Sequence, residues 1–523
     1  MKIRFFSVIS FLFFITFGLF GIENSSETVQ DTIKAYYLDE VVITTSVKET
    51  NDLKNLPTAV SVITPRQLTN HRVESLPELS ATIPNFFVPS YGSKVSTPIY
   101  IRGVGTRYGA QTVSLYVDNV PSFNPSAFDF EFMDIQRVEV LRGAQGTLYG
   151  RNSIGGVVNI YTLSPLTYQG TSAKVTMGNY GHKAASLSHY TKINDKFGIS
   201  VAGYHKSDDG YFYNSYTGKK VDDSENVGGK IKLEWKPTDK LQFLLSSSYD
   251  YLDQGAFPYM HIDSTKSDFN EPSLYRRNLL TEGLTIFYKG NGYTINSTTG
   301  YQYLKDDMRM DQDFTSRSVF SIRQQQTQHS VSQEVVIKSD NSKNYKWVYG
   351  LFGFYDNRKI DTPVDIKEDG VEALQNIGNP MIDIKYSSSV INLPGVYKKP
   401  IGGAALFHQS TINKLFGVEQ LSGTIGVRFD YEKSVIDFHT FSKGNNVVVT
   451  PPIPKKPPIP LKADTTLQDK FSQDFFEILP KTTLKYQINN HSYIYASAAK
   501  SYKTGGYNEQ AFSQILQNAM KAA

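Results

Sequence analysis

Apolar and polar side chains alternate over long stretches of the C-terminal two thirds of the sequence. Between residues 421 and 432, every second position from Ile425 to Tyr431 is apolar. Residues 231–236 and 197–202 show the same pattern. A period of two residues is typical of β-strands that have one apolar and one polar face. This part of the chain is therefore predicted to form a large antiparallel sheet.

Short turns and long polar connections alternate between the predicted strands. The short turns lie at 194–195, 236–240, 290–292, 340–343, 415–417 and 489–490. The long connections lie at 207–225, 253–278, 306–325, 358–400 and 434–476. This alternation, with 34 Tyr and 32 Phe to supply interface girdles, is typical of a transmembrane β-barrel. A soluble propeller or β-helix is the alternative, but we find no repeat of blade length.

The predicted barrel is incomplete. The pattern indicates about 13 strands between residues 171 and 503, whereas closed bacterial barrels have an even number. An open barrel would leave unpaired strand edges in lipid, where unpaired backbone groups are costly. We therefore expect a fragment, a truncated gene or one segment of a longer product.

The N-terminus has the pattern of a secretory signal peptide. Lys2 and Arg4 precede an apolar run over residues 5–22, and polar residues follow it directly. A single membrane-anchoring helix is the alternative. The chain contains no cysteine, so disulfides and a lipoprotein anchor are excluded. A net charge of +4 is too small to indicate a nucleic-acid partner.

Residues 47–164 differ from the rest and are predicted to form a small α/β domain. Thr64 and Pro65 have the pattern of a helix start. Predicted strands cover residues 60–63, 99–102, 113–117, 135–141 and 156–160. Residues 138–160 read VEVLRGAQGTLYGRNSIGGVVNI, which matches neither a phosphate-binding loop nor a dinucleotide fingerprint. Glycine instead supplies positive φ and close backbone approach, as expected for a domain packed in a narrow space.

The same stretch resembles the signature of the plug domain of TonB-dependent outer-membrane receptors. Three further stretches resemble that plug, at residues 56–63, 99–104 and 116–121. Barrel-like pieces lie at 332–335, 347–352, 480–486 and 501–508. The resemblance implies a mostly β chain: an incomplete transmembrane antiparallel β-barrel, about 13 of an expected 22 strands, with a small N-terminal α/β plug.

The resemblance divides the chain into four segments. These are a signal peptide (1–22), a mobile segment (23–46), the plug (47–164) and the partial barrel (165–523). The mobile segment contains a run that resembles the TonB box, namely Asp39, Glu40, Val41, Val42, Ile43 and Thr44. Such a run would add as a strand to the TonB–ExbB–ExbD energy-coupling complex. The alternative is that it forms the first strand of the plug.

Charged and aromatic residues of the plug have two expected roles. Plug arginines are predicted to pair with acids of the barrel wall, or else to be ordinary solvated charges; the candidates are Arg102, Arg142 and Arg151, with Glu334 as the expected partner. The tips of the plug are expected to bind an anionic or aromatic ligand, or else to be exposed loops without one. The candidates there are Tyr91, Lys94, Arg107 and Tyr108.

The function that this resemblance implies is energy-coupled import of a ferric siderophore or another iron complex across the outer membrane. Import of cobalamin or an oligosaccharide, a non-functional truncated receptor, and a passive porin or adhesin are the alternatives. The transported ligand is expected to contain Fe³⁺, and outer-membrane lipid to surround the barrel. No resident cofactor or metal is predicted. An enzyme is not expected, since the sequence has no nucleophile–base arrangement.

Overall fold

The computed structural model describes residues 47–50, 53–107, 109–260, 262, 266–340, 344–376, 383–442, 446–451, 456–462, 464–490 and 492–507. The chain divides into two units, Met1–Val42 and Ile43–Ala523, and every described residue belongs to the second. The predicted signal peptide and the TonB-box-like run (residues 39–44) lie outside the described residues. Among the residues described, no helix is long and apolar enough to cross a membrane.

The small domain (residues 47–164) is built on a five-stranded sheet and a separate two-stranded hairpin. Its strands are β1 (Ala59–Ile63), β2 (Phe86–Phe87), β3 (Tyr100–Ile101), β4 (Val113–Val117), β5 (Val120–Ser122), β6 (Ile135–Arg142) and β7 (Gly156–Thr162). The order in the larger sheet is β1-β6-β7-β4-β5, and only β4 and β7 are parallel. Its helices are α1 (Pro65–His71) and α2 (Gly146–Tyr149), with 3₁₀ turns at Leu53–Asn55, Pro77–Ala81 and Pro125–Ala127.

Helix α1 begins where the sequence predicts. Thr64 is the N-cap and Pro65 the first helical residue, and the Thr64 and Gln67 side chains form a capping box. Such a cap satisfies backbone N–H groups that have no partner within the helix. The helix ends at Arg72, whose φ of 52° is left-handed.

The small sheet is apolar on both faces. Val138 and Val140 of β6 pack into the core of the small domain. The neighbouring Leu141 and Val157 belong to a second cluster, which includes Val336 from outside the small domain. A sheet covered on both faces has nearly continuous apolar strands, as β7 does. Strand β6 departs from this pattern, because Arg137 and Glu139 form an ion pair within it.

The rest of the described chain forms the wall sheet, with short satellite strands in its long loops. The strands are β8 (Gly170–Met177), β9 (Lys183–Asn194), β10 (Phe197–Asp208), β11 (Tyr213–Asn214), β12 (Lys219–Lys220), β13 (Ser224–Thr238), β14 (Leu241–Gly255), β15 (Leu274–Lys289), β16 (Tyr293–Asp311), β17 (Phe320–Ser339), β18 (Tyr345–Asp361), β19 (Val364–Ile366), β20 (Asp383–Tyr386), β21 (Ile391–Leu393), β22 (Gly395–Asn413), β23 (Leu421–Ser442), β24 (Asn446–Thr450), β25 (Ile459–Lys462), β26 (Thr465–Ile478), β27 (Lys481–Gln487) and β28 (Tyr493–Ala499). Helix α3 (Glu368–Asn376) lies in the longest loop, and a 3₁₀ turn lies at Leu415–Gly417.

The main path of the wall sheet is an antiparallel meander. It runs β8-β9-β10-β13-β14-β15-β16-β17-β18-β22-β23-β27-β28, which is thirteen strands within the described residues, as the sequence predicts. Strands β26 and β27 pair with successive parts of β23. They therefore act as one long strand interrupted at Leu479 and Pro480.

The two faces of the wall sheet differ in polarity. The outer face exposes aliphatic side chains such as Val201, Leu351 and Ile425. Aromatic pairs lie near the short turns on that face, for example Trp235 with Phe243. The inner face carries mostly polar side chains, and the small domain packs against part of it, where Val336, Val348 and Phe407 join an apolar cluster. This arrangement is typical of transmembrane barrel strands.

Candidate functional site

The glycines of the 138–160 stretch allow the small domain to lie close against the wall. Gly150 has φ 73° and ψ −132°, and a Cβ there would lie 2.5 Å from an Nη atom of Arg428 in β23. At Gly156, a Cβ would lie 2.2 Å from the carbonyl oxygen of Leu141. Any larger side chain would force atoms apart at both positions. Gly150 thus allows the small domain to approach the wall, and Gly156 allows two strands of the small domain to approach each other.

A buried ion pair joins the start of the small domain to the wall. Lys48 Nζ lies 2.7 Å from a carboxylate oxygen of Glu334 in β17, and both side chains are buried. The same ammonium lies 4.8 Å and 4.5 Å from the ring centres of Tyr116 and Tyr149. It also donates to the carbonyl of Leu148 at 3.4 Å. Burial lowers the pKa of Lys48, and the Glu334 carboxylate opposes that shift.

Two further pairs extend this cluster across the inner face. Arg428 donates to both carboxylate oxygens of Asp430, at 3.0 and 3.1 Å. Arg151 Nε of the small domain lies 3.3 Å from Glu432, an ion-pair distance without hydrogen-bond geometry. With Lys48 and Glu334, the cluster has three cations and three carboxylates. The small domain supplies two of the cations, so the wall part alone has a net charge of −2.

The structure does not pair Glu334 with an arginine, which corrects the sequence prediction. Arg142 donates to the carbonyl of Pro84 at 3.0 Å, inside the small domain. The reason is the alternation of β6: Leu141 faces the wall cluster, so Arg142 faces away from it. Arg102 is exposed with φ 53°. In the described part of the chain, neither Arg102 nor Arg142 forms an ion pair with a wall carboxylate.

A second anchor lies at the turn between β4 and β5. The Asp118 carboxylate is 3.3 Å from Lys230 Nζ and 3.5 Å from Lys232 Nζ, both in β13. It also accepts hydrogen bonds from the amide and hydroxyl of Thr162. Burial alone would raise the pKa of Asp118, but the two ammonium groups and these hydrogen bonds outweigh it and hold the pKa well below its usual range.

Val120, which follows this turn, packs against two glycines of the wall. A Cβ added to Gly283 or to Gly300 would lie 2.7 Å from a methyl group of Val120. These two glycines are paired across β15 and β16. The turn is thus fixed by charge on one side and by shape on the other.

Wall residues also hold four backbone carbonyls near the start of the small domain. Lys338 Nζ donates to the carbonyl of Glu49 at 2.8 Å, and Lys346 Nζ to that of Thr50 at 3.2 Å. Lys485 Nζ donates to the carbonyl of Asn55 at 3.0 Å. The hydroxyl of Tyr493 donates to the carbonyl of Leu56 at 2.8 Å. The four donors come from β17, β18, β27 and β28.

The predicted ligand-binding residues fall into two groups. The guanidinium of Arg107 lies 4.2 Å from the ring centre of Tyr91, and the Tyr259 hydroxyl donates to the Tyr91 carbonyl. Lys94 instead lies 3.3 Å from Asp129 and 3.5 Å from Glu131. Tyr108 lies outside the described residues. The structure thus brings Tyr91 and Arg107 together, whereas Lys94 is engaged by carboxylates of the small domain.

Metal ligands do not gather at any of these places. Among the residues described, no three His, Asp or Glu side chains are placed to hold a metal ion.

Three residues of these contacts are not predicted from the sequence, namely Lys48, Asp118 and Glu432. The available signal was a charged side chain on the polar face of a predicted strand, as for Glu432.

We expect Glu334→Gln to weaken the docking of the small domain by about 1–2 kcal/mol. The loss is limited because Lys48 keeps the Leu148 carbonyl and the two tyrosine rings. Current through the purified protein in planar bilayers would measure it, as more frequent openings. Glu282→Gln, an exposed carboxylate on the outer side of β15, is the matched control. Equal opening rates in wild type and Glu334→Gln would contradict the role of this pair.

Comparison with known proteins agrees with this fold. The family model for the TonB-dependent receptor plug domain matches residues 52–157, and the model for the TonB-dependent receptor-like β-barrel matches residues 256–521. The pesticin receptor of Yersinia pestis is 23% identical over 514 residues, covering 93% of this chain and 66% of that protein. The vitamin B12 transporter BtuB of Vibrio cholerae is 26% identical over 178 residues, 33% of this chain and 28% of that protein.

A solved structure shows the same architecture. The ferric yersiniabactin uptake receptor FyuA from Yersinia pestis superposes with a TM-score of 0.71 at 21% identity, covering 87% of this chain and 66% of that one. At this identity the likeness shows the fold. The chain spans 61–66% of the length of the first curated relatives that it matches.

Proposed function

The chain belongs to the TonB-dependent receptor family, and from that premise we propose that it takes part in energy-coupled import of a ferric siderophore or similar iron complex across the outer membrane. The observation that carries the proposal is the set of ion pairs between the small domain and the wall sheet, such as Lys48–Glu334 and Asp118–Lys230. An apolar cluster that includes Leu141 and Val336 also joins the two. Charge-assisted contacts can break and form again with other polar partners, which suits a domain that must move aside and return.

The order of residues along the chain decides which contacts a force exerted by TonB would reach first. We propose that residues 39–44 add as a strand to TonB, driven by the TonB–ExbB–ExbD complex. Lys48 follows four residues later, and the carbonyls held by Lys338 and Lys346 come next. Force on the leading segment would therefore act first on these hydrogen bonds and on the Lys48–Glu334 pair.

Cargo binding is proposed at the opposite end of the small domain. Tyr91 and Arg107 together present an aromatic ring and a guanidinium, a combination suited to an anionic or aromatic chelate. Lys94 and Tyr108, which are close to Tyr91 and Arg107 in the sequence, complete the proposed set. The likeness to FyuA, a ferric yersiniabactin uptake receptor, supports an iron complex as the cargo. The likeness to BtuB supports cobalamin as the second candidate cargo.

Uptake by living cells tests this proposal. We expect cells that carry the gene to accumulate iron from at least one labelled ferric siderophore, and cells without it to lose that uptake. Dissipating the proton gradient should stop accumulation while surface binding continues. Arg107→Ala should weaken that binding about fivefold, whereas Arg66→Ala, in helix α1, should leave it unchanged. Iron uptake that survives loss of the proton gradient would contradict energy coupling, and uptake of labelled cobalamin alone would favour the second candidate.

A further inference from the structure

Four lysines of the wall sheet lie on its inner face toward the short turns. They are Lys338 in β17, Lys346 in β18, and Lys481 and Lys485 in β27. Three of them donate to the backbone carbonyls of Glu49, Thr50 and Asn55, at 2.8, 3.2 and 3.0 Å. The fourth, Lys481, acts electrostatically on Glu49. We call these four residues the exit lysines, and the start of the small domain that they contact the leading segment.

Three of the exit lysines donate to carbonyl oxygens, which carry only a partial charge. Among the described residues of the segment, Glu49 is the carboxylate that acts on Lys338 and Lys481. Glu49 is buried: burial raises its pKa, and the nearby Lys481 and Lys338 oppose that shift. On the wall, Asp340 lies 3.6 Å from Lys289. The next carboxylate on the inner face of β17 is Glu334, four residues above Lys338 in the strand.

Withdrawal of the leading segment would change this balance. It would remove the carbonyls of Glu49, Thr50 and Asn55 together with the charges of Lys48 and Glu49. Four ammonium groups would then face the space left behind. Among the described wall residues, the carboxylates near them are Glu334, which loses Lys48, and Asp340, which lies 3.6 Å from Lys289. A channel wall of one predominant sign concentrates ions of the other sign.

We propose that the exit lysines form a transient binding site for an anionic cargo at the periplasmic end of the passage. The inference rests on the proposed import function and adds the charge of the cargo, a chelate with a net negative charge from carboxylate or phenolate groups. At rest the four lysines bind the segment, and during import they bind the cargo that replaces it.

Lysine side chains suit the passage of an anionic cargo better than its permanent binding. All four are lysines, whose ammonium is a compact charge on a flexible stem, whereas arginine holds a carboxylate in a fixed two-point geometry. A row of point charges attracts an anion without fixing its orientation. The neutral donor Tyr493, which holds the carbonyl of Leu56 at 2.8 Å, shows that holding the segment does not by itself require charge.

Thiol labelling tests the site directly. The chain has no cysteine, so Thr483→Cys places one thiol on the inner face of β27, two residues from both Lys481 and Lys485; Thr483 is 3% exposed. Two methanethiosulfonates of similar size, one bearing a sulfonate and one a trimethylammonium group, are compared in energised cells. We expect labelling only when the cells are energised, with the anionic reagent faster by about threefold or more.

Two variants separate charge from anchoring. Lys346→Gln with Lys485→Gln keeps an N–H donor for each carbonyl but removes two charges, and should bring the two labelling rates close to equality. Tyr493→Phe removes an anchoring bond without changing charge, and should speed labelling by both reagents while keeping their ratio. Energy-dependent labelling with no preference for the anion would overturn the exit site and leave the import proposal standing. Equal labelling with and without energy would overturn both, because the segment would not withdraw.

Discussion

Replacing Gly150 with alanine is expected to prevent the small domain from docking against the wall. The backbone at this position combines φ 73° with ψ −132°, which side-chain-bearing residues rarely adopt. The added Cβ would also lie 2.5–2.6 Å from three atoms of the Arg428 guanidinium. Because that guanidinium is buried and donates twice to Asp430, displacing it disturbs a buried ion pair. We expect a loss of docking free energy of about 3 kcal/mol or more.

The entry of large antibiotics through the undocked protein would measure this loss. Cells that produce Gly150→Ala should become sensitive to antibiotics too large for an intact outer membrane, at wild-type protein levels. Gly103→Ala is the matched control, since Gly103 has φ 78° and no atom within 4 Å of an added Cβ. It has the backbone strain of about 1 kcal/mol without the collision. Equal leakage from the two variants would show that strain alone accounts for the effect.

The strands of this protein follow from short-range pattern, and most of the docking contacts do not. Alternation places the apolar side chains between Ile425 and Tyr431 on one side of β23 and the polar side chains, such as Arg428 and Asp430, on the other. The residues of the inner face can therefore be predicted from the sequence. The pairing of Lys48 with Glu334 is not, since the two residues are 286 positions apart and meet only because the small domain docks in one orientation. No local periodicity encodes that orientation.

The predicted pairing of Arg142 with the wall is wrong, and the alternation of side chains in β6 explains why. Arg142 follows Leu141 in a strand, so the two side chains must point to opposite faces. Leu141 lies on the face of β6 opposite to Val138 and Val140 and packs toward the wall, which turns Arg142 toward Pro84. By contrast, the glycine-rich stretch correctly indicated close approach, because positive φ and missing side chains are properties of the residues themselves.

Asp118→Asn is expected to cost about 3–5 kcal/mol of docking free energy at neutral pH. The substitution removes the carboxylate and leaves two buried ammonium groups, Lys230 and Lys232, facing a neutral amide. Bilayer currents of the purified protein would measure the loss, as long-lived openings that wild type lacks. Asp195→Asn is the control, because Asp195 also pairs with a lysine, at 2.8 Å, but is fully exposed and should change nothing measurable.

The pH dependence of the same currents tests whether charge is the cause. The pKa of Asp118 is lower in the folded protein than in an unfolded chain, so its contribution is complete above about pH 4, the ordinary value for aspartate. It is lost as the pH falls through the folded value. Wild type should therefore open as the medium is acidified below about pH 4, while Asp118→Asn, with no proton to gain there, should lack this component.

A rescue variant separates the charge of Asp118 from its hydrogen bonds. Adding Lys230→Met and Lys232→Met to Asp118→Asn removes every charge of the anchor, and a buried ion pair replaced by apolar groups of similar volume is often neutral in stability. If unbalanced ammonium groups cause the loss, the triple variant should restore most of the docking. If the bonds from Thr162 to Asp118 matter more, the triple variant should open as readily as the single one, and the anchor would then be a hydrogen-bonded turn rather than a buried ion pair.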